Sequence, residues 1–180
     1  MEILFATSNK HKFSEASAIL STKIKHFPFQ YLEIRSDNLE EIARDAVAVA
    51  YAKCKTPVFV EDTGLFITAL KGFPGTYSAW TFAKIGVEGI LKLMKDESNK
   101  EAKFETCIAY HDGTDIHVFH DVCEGRLADQ KQGNSGFGYD PIFIPEGHTQ
   151  TFAENITLKN KLSHRYKTLL KFSRFLKTRI

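Results

Sequence analysis

Apolar residues along this chain occur in two patterns, short continuous runs and helical stripes. Ile3–Ala6 is a continuous run, which is typical of a strand buried on both faces. A polar loop follows, and then Phe13, Ala16, Ile19 and Leu20 recur at the spacing of one helix face. Strand, polar loop and helix in this order predict the opening of a βαβ unit.

The rest of the pattern predicts alternating strands and helices. Asp37 with Glu40 three residues later resembles a capping box, so we expect a helix to begin there. Asp112-Gly113 between two apolar segments is a two-residue hairpin signal. Further predicted elements are strands at residues 29–34, 58–60 and 142–144, hairpin strands at 104–111 and 114–122, helical stripes at 39–50 and 87–94, and a closing helix from about Asn160. We therefore expect one α/β domain, residues 1–180, with a mixed sheet and a long hairpin in a second lobe.

Composition and charge narrow the class of protein. Of the 180 residues, 43% are hydrophobic and 26% charged, ordinary values that exclude a disordered chain, a collagen-like repeat or a coiled coil. The net charge of +2 conceals an uneven distribution, because residues 159–180 hold eight Lys or Arg and no Asp or Glu. One end of the chain therefore suits anions, and the acidic remainder has carboxylates that can hold a cation.

Cysteine use and the first residues suggest a cellular location. Cys54, Cys107 and Cys123 are odd in number, far apart and without metal-ligand spacing, so we expect reduced thiols. An acidic residue, Glu2, and no basic segment precede the first apolar run. We therefore expect no signal peptide and a cytoplasmic protein.

The polar loop TSNKHK (residues 7–12) is the first candidate site. Backbone N–H groups at the start of a helix, with side-chain donors and two lysines, suit a phosphate chain. The alternative is an ordinary helix cap with solvated lysines. The loop alone favours that alternative, because it lacks the glycine spacing of the common phosphate loops.

A second candidate, Glu61-Asp62-Thr63-Gly64, follows the strand predicted at residues 58–60. Adjacent carboxylates at a strand end point to opposite faces, so one of them can ligate Mg²⁺, which takes one or two protein carboxylates together with substrate phosphates. Glu33, at the end of the strand predicted at 29–34, is a candidate second ligand and equally plausible as a surface residue. The alternative for the segment itself is a polar turn in which Gly64 adopts a positive φ.

Two later motifs offer aromatic and cationic groups. In GFGYDP (residues 136–141) the glycines allow backbone to approach a flat ligand, the two rings offer stacking faces, and Asp140 offers an acceptor. Lys159 and Ser163 share a face of the predicted closing helix, next to His164 and Arg165, which favours phosphate or base contacts. The alternatives are an aromatic-anchored loop and a solvated basic helix.

The order of these motifs is more specific than any one of them. The chain carries TSNKHK (7–12), EDTGL (61–65), GFPGTYSA (72–79), GFGYDPIF (136–143), TFAE (151–154) and KNKLSHR (159–165). This series resembles the inosine triphosphate pyrophosphatase family from Ile3 to about Leu170. The resemblance implies two lobes around an elongated, twisted mixed sheet, an active-site cleft between the lobes, and a homodimer. It also implies Mg²⁺-dependent hydrolysis of ITP, dITP or XTP to the monophosphate and pyrophosphate, which clears non-canonical purines from the nucleotide pool.

The resemblance further implies a role for each matched residue. Asp62 would bind Mg²⁺ and accept a proton from the attacking water, and Glu33 would be the second metal carboxylate. The implied substrate-binding residues are Thr7, Ser8, Asn9, Lys10, His11 and Lys12 for the triphosphate, Thr63 for the substrate, Phe137, Gly138, Tyr139 and Asp140 for the base, Lys159 for phosphates or base, and His164 with Arg165 for the oxo edge of the base. Donors such as Arg165 would bind a 6-oxo purine, whereas the 6-amino group of adenine would leave them unpaired.

Two other functions fit parts of the sequence. A pyrophosphatase for dTTP, UTP or modified pyrimidine nucleotides would have a similar architecture, although the SHR and GFGYDP motifs favour purines. A nucleic-acid-binding module would use the basic closing helix with Phe172 and Phe175. That function leaves every motif before Lys159 unexplained, and the acidic remainder would repel a polyanion. We therefore expect neither a nucleic acid nor a membrane among the partners.

Overall fold

Residues 2–179 are described by a computed structural model, in which they form five α-helices, seven strands and two short 3₁₀ helices, Thr68–Leu70 and Asp140–Ile142. The strands are β1 (Ile3–Ala6), β2 (Ile24–Phe27), β3 (Val58–Ile67), β4 (Pro74–Gly75), β5 (Glu101–His111), β6 (Ile116–Leu127) and β7 (Phe143–Pro145). The helices are α1 (Lys10–Ile19), α2 (Leu39–Cys54), α3 (Ser78–Leu93), α4 (Ile156–Leu162) and α5 (His164–Lys177).

The strands of the described residues join one sheet in the order β2-β1-β3-β5-β6-β7, with β4 paired to β3. β1 pairs in parallel with β2 and β3, whereas β4 and β7 pair antiparallel with β3 and β6. The predicted α/β class with a mixed sheet is therefore confirmed. Because Phe5 on β1 lies opposite His26 on β2, the loop that follows β1 begins beside the end of β2.

The chain divides into two compact units. The first comprises the described parts of Met1–Asp62, Thr106–Asp121 and Lys167–Ile180. Stacking of Phe5 on Phe59, with ring centroids 4.2 Å apart, joins β1 to β3 within its core. The buried apolar side chains of this core are Ile3, Phe5, Ala16, Leu20, Ile24, Phe59, Ile108, Tyr110, Leu169, Phe172 and Leu176.

The second unit comprises Thr63–Glu105 and Val122–Tyr166. Its core consists of Leu65, Ile67, Val87, Ile90, Met94, Ala102, Phe104, Cys123, Leu127, Tyr139, Ile142, Phe143 and Phe152. The boundaries between the units fall inside β3, β5 and β6, so each of these strands contributes residues to both. An active-site cleft between two lobes of one domain stays a prediction.

The prediction of a strand at residues 29–34 is wrong, since β2 lies at Ile24–Phe27 and residues 28–36 have no regular structure. Pro28 lacks the backbone N–H that a continuing ladder needs. The aromatic alternation makes ring contacts instead, with Phe29 5.5 Å from Phe27 and 5.4 Å from Tyr31 between centroids. Glu33 therefore lies beyond β2 in an irregular segment and not at a strand end.

β3 continues through the polar segment that the sequence pattern assigns to its end. It extends to Ile67 because Leu65 and Ile67 are fully buried and because β4 pairs with this part of the strand. Gly64 has no positive φ; a Cβ at Gly64 would lie 2.5 Å from the carbonyl oxygen of Gly75, so glycine permits the close approach of β4. The polar-turn alternative is wrong, and Asp62 lies inside the strand.

Three smaller differences have local causes. The predicted two-residue turn is wrong, since four residues, 112–115, connect β5 to β6. The Asp112 carboxylate stabilises this longer turn by accepting the N–H groups of Thr114 and Asp115. The cap of α2 is Asn38, whose Oδ1 accepts the N–H of Glu40 at 2.8 Å, and not Asp37. β7 starts at Phe143, one residue later than predicted, because a 3₁₀ helix precedes it.

The closing helix is interrupted at Ser163, so the prediction of one helix from about Asn160 is wrong. Ser163 is extended, with φ −62° and ψ 153°, and follows the last residue of α4. Its Oγ accepts the N–H of Tyr166 at 3.2 Å, which satisfies a backbone donor in the first turn of α5. Lys159 and Ser163 therefore do not lie on one continuous helical face.

Two further features concern the cysteines and the apolar character of the helices. Cys54, Cys107 and Cys123 all lie within the described residues and are free, the last two buried. Among residues 2–179, no helix combines the length and the apolar character that crossing a membrane requires.

Candidate active site

The loop between β1 and α1 is held by hydrogen bonds among its own residues. Asn9 caps α1, because its Oδ1 accepts the N–H groups of His11 at 2.9 Å and Lys12 at 3.2 Å. The Oγ1 atom of Thr7 accepts the N–H of Asn9 at 3.1 Å. The capping alternative is therefore correct for Asn9. The exposed residues of the loop, at the positive end of the helix dipole, are Ser8, Lys10 and His11.

Lys12 reaches from α1 to β3. Its Nζ donates to the carbonyl oxygen of Glu61 at 2.9 Å and lies 3.4 Å from the Oε1 atom of the same residue. Glu61 is buried, whereas Lys12 is partly exposed. The family resemblance assigns Lys12 to the triphosphate. Its contacts with Glu61 hold its ammonium group in a fixed position beside the acidic segment.

Asp62, the residue after Glu61, has an unusual acid–base character. Burial raises the pKa of its carboxyl to about 6, the charge of Lys12 opposes that rise, and the charges of Glu33 and Glu61 add to it. Asp62 therefore feels the negative charge of its chain neighbour Glu61 and of Glu33. Such a cluster of like charges is unfavourable by itself and becomes favourable around a bound cation.

Tyr31 is a neighbour of this cluster that the sequence motifs do not reveal. Its hydroxyl donates to Oε1 of Glu33 at 3.3 Å. Burial, and then the charges of Asp62 and Glu33, raise the pKa of this hydroxyl above its usual range. The phenol therefore stays protonated as a donor, and it links the exposed Glu33 to the neighbourhood of Asp62.

The carboxylates of this cluster can be compared with the ligands that Mg²⁺ requires. Within residues 2–179, no group of three or more His, Cys, Asp or Glu side chains is arranged to hold a metal. Mg²⁺, however, commonly binds one or two protein carboxylates and completes its shell with waters and substrate phosphates. Asp62 and Glu33, two oxygen donors whose charges interact, fit that requirement.

In the second unit, three motif residues meet at a single carboxylate. The Oδ2 atom of Asp140 lies 2.7 Å from Nζ of Lys159 and accepts the backbone N–H of Phe137, also at 2.7 Å. Lys159 is only 1% exposed, and its Nζ lies 4.3 Å from the centroid of the Phe137 ring. The solvated-helix alternative is therefore wrong for Lys159. Asp140 acts here as the counter-ion of a buried lysine.

Arg165 adds a second buried cation next to the same ring. Its guanidinium carbon lies 5.4 Å from the centroid of Phe137, and its Nη2 is 3.5 Å from Oγ1 of Thr63. His164 is buried as well, with its ring stacked on Phe104 at 4.5 Å. The structure thus brings Thr63, Phe137 and Arg165 together, and holds His164 by packing against the core.

Tyr139 and Gly138 contribute to the same loop in different ways. The Tyr139 ring lies in the core, and its hydroxyl donates to the carbonyl oxygen of Ser78 at 3.0 Å. Burial raises the pKa of this hydroxyl to about 12. Gly138 has φ +61°, a conformation that glycine adopts without strain. A direct contact of either residue with a base stays a prediction.

The predicted residues therefore form two clusters. The acidic cluster of the first unit contains Glu33, Glu61 and Asp62, with Lys12 and the loop of residues 7–12. The base cluster of the second unit contains Thr63, Phe137, Asp140, Lys159 and Arg165. Tyr31 and His26 belong to the surroundings of the acidic cluster, and the sequence patterns gave them no role. Only the closeness of Tyr31 to Glu33 in the chain offered a signal.

Solved structures share this fold over the whole chain. The Ham1 protein of Staphylococcus aureus superposes with a TM-score of 0.88 at 27% identity, covering 100% of both chains. A HAM1 protein from Coxiella burnetii gives a TM-score of 0.88 at 30% identity, covering 99% of each chain.

Sequence relatives match over nearly the same span. A protein of Thermococcus kodakarensis named dITP/XTP pyrophosphatase is 44% identical over 181 residues, covering 98% of each chain. One of Methanopyrus kandleri with the same name is 45% identical over 185 residues, covering 100% of this chain and 98% of its own. The model of the Ham1 family matches residues 3–175. The chain belongs to the Ham1 family, which confirms the family resemblance of its motifs.

Proposed function

We propose that this protein hydrolyses the non-canonical purine nucleoside triphosphates ITP, dITP and XTP to the monophosphate and pyrophosphate, with Mg²⁺. The observation that carries the proposal is the Asp62 carboxylate, whose pKa burial raises to about 6 in a cluster with Glu33, Glu61 and Lys12. The names of the Thermococcus and Methanopyrus relatives support dITP and XTP among these substrates.

The acidic cluster and its loop would hold the triphosphate. Lys10, Lys12 and the N-terminal end of α1 supply positive charge, while Asp62 and Glu33 would bind Mg²⁺. When bound, Mg²⁺ would offset the negative charge of the triphosphate and of the leaving pyrophosphate. The phosphate chain would thus be bound by the positively charged groups of the loop directly, and by the carboxylates Asp62 and Glu33 through Mg²⁺.

Asp62 would act as general base for the attacking water. The water oxygen forms a bond to the α-phosphorus, the bond from that phosphorus to the oxygen leading to the β-phosphate breaks, and the proton of the water goes to Asp62. In the metal-free protein burial raises the pKa of the Asp62 carboxyl to about 6, so the group is mostly ionised at neutral pH, and the ionised form is the one that accepts a proton. The Tyr31 hydroxyl donates a hydrogen bond to Glu33 and would hold the Glu33 carboxylate in place.

The base cluster would select the purine. Phe137 offers an aromatic face that Lys159 and Arg165 approach at 4.3 and 5.4 Å, and these cations are suited to an electron-rich 6-oxo edge. Asp140 holds the ammonium group of Lys159 in place inside the protein, since its Oδ2 lies 2.7 Å from Nζ. Adenine presents an amino group at this edge, and it would leave buried donors without acceptors.

The test is pyrophosphate release from ITP, XTP, dITP, GTP, ATP, dTTP and UTP, with Mg²⁺ and with EDTA. We expect strong metal-dependent release from ITP, XTP and dITP, with pyrophosphate and not orthophosphate as product. Activity confined to dTTP and UTP would replace the proposal by the pyrimidine alternative. An absence of release from every nucleotide would contradict both.

A matched pair of variants tests the role of Asp62. Asp62→Asn should abolish turnover, because it removes the proton acceptor and one metal ligand at constant shape. Asp37→Asn makes the same chemical change at an exposed carboxylate and should leave turnover unchanged. A fully active Asp62→Asn enzyme would contradict the assignment of the base.

We also propose that the protein is a homodimer that acts in the cytoplasm, where its nucleotide substrates occur. The family resemblance of the motifs supports the dimer. Light scattering coupled to size-exclusion chromatography would give the mass of the particle, and a single-chain mass across the working concentrations would contradict the dimer.

A further inference from the structure

The imidazole of His26 is attached to the first residue of the loop that we assign to the triphosphate. Its Nε2 atom lies 2.8 Å from the carbonyl oxygen of Thr7. Because a carbonyl oxygen only accepts hydrogen bonds, Nε2 must carry the hydrogen and donate it. His26 and Thr7 meet because β1 and β2 run in parallel, with His26 opposite Phe5.

Together with two other hydrogen bonds, this bond holds Thr7 at three atoms, its carbonyl oxygen, its backbone nitrogen and its Oγ1. The Thr7 N–H donates to the carbonyl oxygen of Phe27 at 3.1 Å, and its Oγ1 accepts the N–H of Asn9 at 3.1 Å. Asn9 in turn caps α1. His26, Thr7 and Asn9 thus form a continuous chain of hydrogen bonds from β2 to the first turn of the helix.

The same ring also touches the residue that follows the loop. The centroids of His26 and Phe13 lie 4.8 Å apart with an interplanar angle of 34°. The N–H of Phe13 donates to the carbonyl oxygen of Asn9 at 3.2 Å. One half-buried side chain therefore contacts the loop where it leaves β1 and again where it has entered α1.

We propose that His26 is a positioning residue for the triphosphate, a proposal that rests on the function proposed above. By fixing the carbonyl of Thr7, it holds the loop in one conformation before substrate arrives. The loop groups then bind phosphate without first losing conformational freedom, so the contribution appears in substrate affinity and not in the chemical step. His26 itself touches no reacting atom.

Two substitutions separate the donor from the ring. His26→Phe keeps the contact with Phe13 and removes the hydrogen bond, whereas His26→Gln restores an N–H donor at a similar reach without the ring. We expect His26→Phe to raise the KM for ITP roughly tenfold, the effect of about one lost hydrogen bond, with kcat changed less than about twofold. We expect His26→Gln to recover most of the loss.

His111→Phe is the matched control. His111 is also half-buried, stacks on an aromatic ring, Tyr51, at 3.8 Å, and accepts one backbone hydrogen bond, from Gly113. It lies on the β5–β6 hairpin and not on the loop of residues 7–12. This variant should keep the KM of the wild-type enzyme.

Two further measurements distinguish positioning from general damage. Calorimetric binding of inorganic tripolyphosphate should weaken in His26→Phe by the same factor as KM. The ratio of kcat/KM for ITP to that for XTP should stay unchanged, because the base cluster is untouched. An unchanged KM, no recovery by His26→Gln, or a shifted ITP to XTP ratio would overturn the proposal. Wild-type enzyme without turnover of any triphosphate would instead overturn the proposed function, and this inference with it.

Discussion

Replacing Asp62 by asparagine should stabilise the substrate-free protein while it removes activity. Burial raises the pKa of the Asp62 carboxyl from its ordinary 3.8 to about 6, and the charges of Glu33 and Glu61 add to the rise. The folded protein therefore holds the ionised carboxylate less favourably than the unfolded chain does. Asparagine has nearly the same shape and no charge to bury.

The sign and size of the effect follow from the pKa difference. Well below its ordinary pKa of 3.8 the carboxyl is protonated in both states, and the substitution should be neutral. Between about pH 4 and about pH 6 the unfolded chain loses its proton first, so the wild-type free energy of unfolding falls as pH rises. Above about pH 6 the full cost is present, at most about 3 kcal/mol at 1.36 kcal/mol for each pH unit.

Urea denaturation in EDTA at about pH 4 and about pH 7.5 would measure this difference. We expect Asp62→Asn and wild type to differ by less than about 1 kcal/mol at the lower pH, and the variant to be more stable by about 1–3 kcal/mol at the higher one. Asp37→Asn, the exposed control, should follow the wild type at both. A variant less stable than wild type at neutral pH, or a difference that does not change with pH, would refute the reasoning.

Three further predictions concern the metal and the base cluster. Added Mg²⁺ should raise the Tm of the wild type by binding the folded state, and should not raise that of Asp62→Asn; equal shifts would place the ion elsewhere. Lys159→Met should lower the free energy of unfolding by roughly 3–5 kcal/mol, since it removes the ammonium group that pairs with the buried Asp140 carboxylate, and urea denaturation would detect it. Gly136→Ala should cost roughly 1–3 kcal/mol in the same assay, because φ is +76° there and a Cβ would lie 2.2 Å from Oδ2 of Asp140. Wild-type stability of either variant would contradict the packing described here.

The elements that could be predicted from the sequence are those whose signals are local. The spacing of apolar residues is enough to predict a strand at Ile3–Ala6 and helices at the positions of α1 and α2. The structure contains a strand and two helices at those places. The strand predicted at residues 29–34 shows where such local signals fail. Aromatic residues at alternate positions resemble a strand, although Pro28 prevents the ladder of β2 from continuing. The continuation of β3 past Asp62 depends on β4 and on the distant core, which no window of sequence contains.

In the candidate site, too, the sequence predicts what is local and does not predict contacts between distant parts of the chain. The order of the motifs predicts which residues form the site, but it does not show which residues they contact. Lys12 pairs with Glu61, 49 positions away, and Asp140 pairs with Lys159, 19 positions away. Such pairs depend on how strands and helices pack, so the sequence assigned these charges to substrate and could not show that they also neutralise one another.

The meeting of Phe137, Asp140 and Lys159 on one oxygen atom has an evolutionary consequence. The backbone of Phe137 and the ammonium group of Lys159 both bind Oδ2 of Asp140, and Gly136 leaves room for that atom. Since the effect of changing one member depends on the others, their contributions to stability are not additive. Loss of the lysine would remove an ion pair from the buried aspartate, and a side chain at position 136 would clash with the aspartate carboxylate. These positions should therefore be inherited as a block, and drift in this loop should be confined to the residues around it.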